Sequence, residues 1–129
     1  MRAAWRRRTK PERHRKVADP LILASGSSAR AAMLRAAGIA IEIVPARVDE
    51  SELKLSLRQE GADVAATAVA LAEMKALQVS RAWPGRLVLG ADQMLDCEGT
   101  WFDKPQDRAE AAGQLRRLRR QRLERLAVE

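Results

Sequence analysis

Histidine is nearly absent from this 129-residue chain: the single copy, His14, lies in a basic N-terminal stretch. That removes Ser-His-Asp catalysis and histidine-based metal motifs from everything downstream. Cysteine is as scarce. Cys97 alone allows no internal disulfide and has no histidine partner in the body of the chain, which fits a reducing, cytoplasmic setting. No apolar run approaches the roughly 18 residues needed to cross a bilayer, so no membrane span is expected. Any general base must then be a carboxylate or an amine, and any metal must be held through oxygen, which narrows the chemistry towards Mg²⁺-type phosphate work. What is present, 47% hydrophobic and 32% charged residues, suits one globular domain with a buried core.

The formal net charge of +7 suggests nucleic acid until it is located. Residues 1–16 carry eight basic side chains against Glu12, and residues 114–129 carry six arginines against Glu124 and Glu129. The body between has ten basic and fourteen acidic residues, so the basicity belongs to the two ends. A mildly acidic body gives no reason to expect a nucleic-acid groove. Residues 1–18 lack the apolar core of a secretory signal and the serines of a transit peptide, and read as a disordered basic extension.

Along the chain, Leu21-Ile22-Leu23 is a short apolar run that stops at Ser25-Gly26-Ser27-Ser28. A helix is expected next, with Ala29, Met33, Leu34 and Ala37 on its apolar face and Gly38 as the stop. Ile39 to Val44 reads as a strand ended by Pro45, and Val48 to Arg58 as loop with some helix. The longest helix is expected over Asp63 to Val79, with Val64, Ala68, Leu71, Ala72, Lys75 and Val79 on one stripe. Arg86 to Ala91 reads as a second strand with a buried Leu87-Val88-Leu89 run. Met94 to Phe102 reads as a hairpin around Asp96-Cys97-Glu98-Gly99, and a last helix follows Lys104-Pro105 with Asp107 as its cap. This order indicates an α/β layered fold. In the last helix Ala111, Leu115 and Leu118 keep helical spacing, but the interval of five to Leu123 turns the apolar face away.

Several short segments could carry chemistry. The serine-rich loop before the first helix, with Arg30 in the first turn, offers N–H groups, hydroxyls and a guanidinium to an anion. It is equally a common N-cap. Gly90-Ala91-Asp92-Gln93 ends the second strand, where open α/β sheets gather ligands, and a carboxylate there can hold a metal or deprotonate water. A turn aspartate is the plain alternative. Lys75 either reaches a site from an apolar stripe or snorkels to water. Lys104 is as ambiguous, and Asp49-Glu50 are either metal ligands or solvated loop carboxylates.

Taken in order, the segments LASGSSAR, VDE, LAEMKA, LGADQ and FDKP, followed by DRAEAAGQLRRL, resemble the Maf family over roughly residues 20–118. The resemblance implies a nucleoside triphosphate pyrophosphatase: hydrolysis between the α and β phosphates to the monophosphate and pyrophosphate, with a divalent cation, Mg²⁺ or Mn²⁺. It implies an α/β fold similar to inosine triphosphate pyrophosphatases, a mixed sheet with flanking helices. Carried over, Ser25, Ser27, Arg30, Lys75 and Lys104 would bind phosphates, and Glu50 and Asp92 would hold the metal. Asp92 would activate water, with Gln93 beside the substrate. Many members carry two arginines in the opening loop, where this chain has Ala29 and Arg30. Gln93 stands where many have threonine, and resembles the branch acting on 7-methyl-GTP rather than on dTTP and UTP.

The family continues past LRRL with a Gly-x-Thr-His segment and a second lobe. Here Arg119 to Glu129 stands in that place, so a C-terminally truncated chain lacking the second lobe is expected. The domain reading is therefore a basic extension (1–18), a Maf-like nucleotide-binding part (19–118) and an atypical arginine-rich end (119–129). Missing strands would expose sheet edges and apolar surface. The expected partner is a nucleoside triphosphate, with no membrane and no nucleic acid, and with a homodimer left open. Two alternatives stay open: an inactive Maf remnant, and a nucleic-acid-binding module using its basic termini.

Overall fold

The computed structural model describes residues 19–126, with side chains as far as Gln121; the basic stretch 1–18, His14 included, lies outside the described residues. The elements are β1 (Leu21–Leu23), α1 (Ser28–Ala36), β2 (Ile41–Ile43), α2 (Glu50–Gln59), α3 (Val64–Ala82), β3 (Val88–Leu89), β4 (Leu95–Cys97), β5 (Thr100–Phe102) and α4 (Arg108–Leu126). The expected α/β architecture is present. Strand β1 is the middle of a parallel sheet of order β2-β1-β3, while β4 and β5 form a separate antiparallel hairpin. No helix among the described residues is long and apolar enough to cross a membrane.

The core follows from the position of β1. It is paired on both edges and covered on both faces, so Ile22, Leu23 and Ala24 are all fully buried. A strand in that position reads as an unbroken apolar run because neither of its alternating faces meets water. Ile22, Ala24 and Val79 form a cluster against which Val44, Trp83 and Val88 pack. Helix α3 supplies one wall of this core. Thr67, Leu71, Lys75 and Val79, four residues apart, are its buried positions. The buried Thr67 hydroxyl is satisfied by donating to the Asp63 carbonyl at 2.8 Å, while the Asp63 carboxylate accepts from Ala66 N–H at 2.7 Å and caps the helix.

Two interactions tie distant segments together. Arg86 donates to the Pro20 carbonyl at 2.8 Å and pairs with Glu42 at 3.2 Å, joining the starts of β1 and β3 to β2. Arg58 of α2 donates to the Gly99 carbonyl at 2.9 Å and stacks over Trp101, 4.6 Å from the ring centre, joining α2 to the hairpin. The hairpin closes through Glu98 and Gly99, both at positive φ (53° and 78°), as a two-residue turn matching strand twist demands.

Three expectations need correction. Residues 50–59 are a regular helix rather than mostly loop. Its signal is capping, not apolar periodicity: Asp49 accepts from Glu52 N–H, Glu50 and Glu52 occupy the first turn and Arg58 the last, each in favour with the helix dipole. In α1 the inward side is Arg30, Ala31 and Leu34, leaving Met33 65% exposed, because the Ser27 cap and the Arg30–Ser25 bond fix the helix phase. The Leu87-Val88-Leu89 run is not buried: Leu87 is 77% and Leu89 39% exposed, since β3 is an edge strand that turns only Val88 onto the α3 cluster. The helical backbone of α4 continues unbroken through the change of phase at Leu123 to Leu126.

Candidate active site

Strand β1 leads into Ala24-Ser25, and the chain turns at once into α1. Ser25 is buried, and its Oγ accepts from Ser27 N–H at 3.2 Å and from the Arg30 guanidinium at 3.0 Å. Ser27 is the N-cap of α1, its Oγ accepting from Arg30 N–H at 3.3 Å. The loop is thus a pre-set arrangement in which one hydroxyl orients a guanidinium beside a helix N-terminus. A fixed cation next to unpaired N–H groups suits an anion.

Strand β3 leads into Gly90-Ala91-Asp92. Gly90 runs directly against α3. A Cβ there would overlap the Ala72 carbonyl oxygen and come within 2.9 Å of the Ala76 side chain. The small residues at 72, 76 and 90 let the strand end touch the helix backbone, and this brings Asp92 to Lys75 one turn along the same helix. Lys75 Nζ lies 2.8 Å from Asp92 Oδ1 and 2.7 Å from Glu50 Oε1. The side chains of Lys75 and Asp92 are 11% and 9% exposed. Asp92 Oδ2 is buried with no hydrogen-bond partner, leaving one carboxylate oxygen uncommitted.

Of the acidic pair at the start of α2, only Glu50 reaches this ion triad, since Asp49 is spent as the helix cap. Ser25, Ser27, Arg30, Glu50, Lys75, Asp92, Gln93 and Lys104 line one cleft of about 870 Å³. It lies at the carboxyl ends of β1 and β3, where parallel sheets place ligands. Gln93 and Lys104 are its more exposed members. Sequence reasoning missed Lys54 and Asp103, which also line the cleft and pair with each other. Lys54 lies four residues after Glu50, so recognising the α2 cap would have put both on one helix face.

Burial works against the Lys75 charge, but hydrogen bonds and attraction from Asp92 and Glu50 outweigh it, holding the ammonium above the ordinary lysine value of 10.5. A raised folded-state value means the group binds its proton more tightly in the native chain. That stability is complete below the unfolded-state value and is lost as pH rises through the folded one. The Tm difference between the unaltered chain and Lys75→Met is therefore expected to shrink above about pH 10.5. A difference that stays constant from pH 8 to 11.5 would refute the ion-triad account.

Among the described residues no group of three or more His, Cys, Asp and Glu side chains converges as a metal cage. The donor set instead fits a hard cation bound by one or two carboxylates and completed by substrate phosphates and water, as Mg²⁺ usually is. Glu50 and Asp92 are the cleft carboxylates placed to fit it.

Fold and cleft together define an α/β protein with a serine–arginine loop and a carboxylate–lysine triad at its sheet ends. Residues 20–127 match the family described as Maf-like protein, and the chain belongs to that family. The match takes in most of the arginine-rich end beyond residue 118. The chain is 55% identical over 95 residues to the nucleoside triphosphate pyrophosphatase of Granulibacter bethesdensis, covering 74% of this chain and 48% of that protein. It is 55% identical over 98 residues to the corresponding protein of Paramagnetospirillum magneticum (76% and 50%), and 50% identical over 111 residues to that of Sphingopyxis alaskensis (84% and 56%). The chain spans about half the length of the curated relatives it matches.

Proposed function

We propose that this chain carries the phosphate-handling site of a nucleoside triphosphate pyrophosphatase, which releases a nucleoside monophosphate and pyrophosphate. The observation that supports it best is the ion triad: a nearly buried carboxylate, Asp92, with one oxygen held by Lys75 and the other unpartnered, in a cleft lined by Arg30 and Lys104. The activity for which these relatives are named agrees with this chemistry.

In this reading the triphosphate lies against the α1 N-terminus, with Ser25, Ser27 and Arg30 binding phosphate oxygens. Lys75 fixes the Asp92 carboxylate by its Oδ1 and leaves Oδ2 to take a proton from water as its oxygen attacks the α-phosphorus. The bond from that phosphorus to the bridging oxygen breaks and pyrophosphate leaves. Lys75 and Lys104 offset the charge that develops on the departing oxygens. A divalent cation, Mg²⁺ or Mn²⁺, held by Glu50 and Asp92, would supply Lewis-acid neutralisation of phosphate charge. Gln93 lies on the substrate side, and a cytoplasmic nucleotide pool is the matching source of substrate.

The test is release of pyrophosphate from a panel of nucleoside triphosphates, 7-methyl-GTP, dTTP and UTP among them, with Mg²⁺ or Mn²⁺. Release that requires the cation is expected; its absence across the panel would count against the reading.

A further inference from the structure

The ion triad leaves the cleft short of free positive charge. Its lining holds four cations, Arg30, Lys54, Lys75 and Lys104, against three carboxylates, Glu50, Asp92 and Asp103. Lys75 is bracketed by two of those carboxylates at 2.7 and 2.8 Å, so it is shared between them and the substrate. Ala29, at the mouth of the serine loop, brings only a methyl group. A triphosphate carries about four negative charges; Arg30 and Lys104 meet about half of them, and the remainder falls to the divalent cation and to any further cationic side chain of the wall.

Lys54 is the cation to which no role has been given. It lies one helical turn beyond Glu50, and its side chain is only 18% exposed, seated in the cleft wall. Its Nζ pairs with Asp103, while Glu50 Oε2 stays 3.9 Å away, outside hydrogen-bond reach. The partners are unlike each other: Asp103 is 69% exposed. A carboxylate that is already mostly in water is readily rehydrated when displaced, and an exposed ion pair is weak. The Asp103 backbone is held separately, its carbonyl accepting from Gln114 at 2.9 Å, so the side chain can swing away without moving the chain.

We propose that Lys54 is a further phosphate-binding cation of this site, and that the Asp103 carboxylate is an internal stand-in which occupies it until a polyphosphate takes its place. Carboxylate and phosphate oxygens accept the same ammonium N–H groups, but the phosphate brings more charge and is held by Arg30 as well. The inference rests on the proposed triphosphate site and adds to it a residue and a competition.

A structural brace and a stand-in predict opposite signs for Asp103. Binding of a nucleoside 5′-(α,β-methylene)triphosphate, which cannot be cleaved at the relevant bridge, is measured by calorimetry with Mg²⁺ on the full chain. Lys54→Ala is expected to weaken binding about tenfold or more, the loss typical of a charge-assisted hydrogen bond, and Lys54→Arg to restore most of it. Asp103→Asn is expected to tighten binding severalfold, and to lose that gain in the Lys54→Ala background. Weaker binding by Asp103→Asn, or a gain undiminished without Lys54, overturns the proposal; so does Lys54→Ala binding as tightly as the unaltered chain. Should Lys54→Ala not fold, the sign for Asp103→Asn decides alone. An unaltered chain that does not bind the analogue sinks both this inference and the triphosphate reading, whereas binding that is indifferent to Lys54 sinks this inference only.

Discussion

Asp92→Asn is expected to lower pyrophosphate release by about 10²- to 10⁴-fold, the range a positioned general base contributes. The substitution keeps shape and lets Lys75 still meet an amide oxygen, so the loss reports chemistry rather than collapse. Asp92 Oδ2 is buried and unpartnered, and in the amide that position becomes an N–H₂ group that cannot take a proton from water. Binding of the α,β-methylene analogue should fall far less than activity, because Arg30, the serine loop and Glu50 lie on other elements. A variant retaining more than about a tenth of the activity would remove Asp92 from the base role. A variant that lost analogue binding in step with activity would recast it as a binding residue.

The second large effect is on the fold. Gly90→Ala is expected to cost about 3 kcal/mol or more, at or above the upper end for overpacking. The added methyl would meet the Ala72 carbonyl oxygen, which is helix backbone and cannot rotate aside as a flexible side chain could. For a domain of this size that corresponds to a fall in Tm of roughly 12 °C or more. Asp92 lies two residues further on, so a strand end pushed off α3 also carries the carboxylate away from Lys75, and the Lys75-dependent alkaline loss of stability should weaken with it. Unaltered thermal unfolding in Gly90→Ala would show that the strand end has room to move and that the close approach sets nothing.

Much of the fold was legible because its signals are local. The β1 run, the hairpin turn, the Asp107 cap and the Leu71, Lys75 and Val79 part of the α3 stripe each depend on neighbours within a few residues, and each is where the spacing put it, whereas the buried Thr67 lay off the expected stripe. The α2 helix was missed because its stability is read from capping and end charges, and none of its residues is fully buried. The exposure of Leu87 was missed because a short apolar run looks the same in a central strand as at an edge. For the site, residue types marked the serine loop with Arg30, Asp49-Glu50, Lys75, Asp92-Gln93 and Lys104, and the resemblance to the Maf family narrowed these to Ser25, Ser27, Arg30, Glu50, Lys75, Asp92, Gln93 and Lys104. Residue types alone could not tell Asp49 from Glu50, and neither route revealed Lys54 and Asp103 as a pair.

What the sequence by itself determined is the chemical inventory: no histidine downstream of His14, a serine–arginine loop after an apolar run, and carboxylates and lysines as the remaining reactive groups. Those are properties of composition and short spacing, and they survive any folding of the chain. Which carboxylate meets which ammonium was decided only by tertiary structure. Residues 50, 75 and 92 converge because Gly90 lets a strand end touch the Ala72 turn of α3 while the Asp49 cap aims Glu50 at the same point. Contacts of a few ångströms between segments dozens of residues apart depend on how closely backbones can approach, and that is fixed by packing in three dimensions.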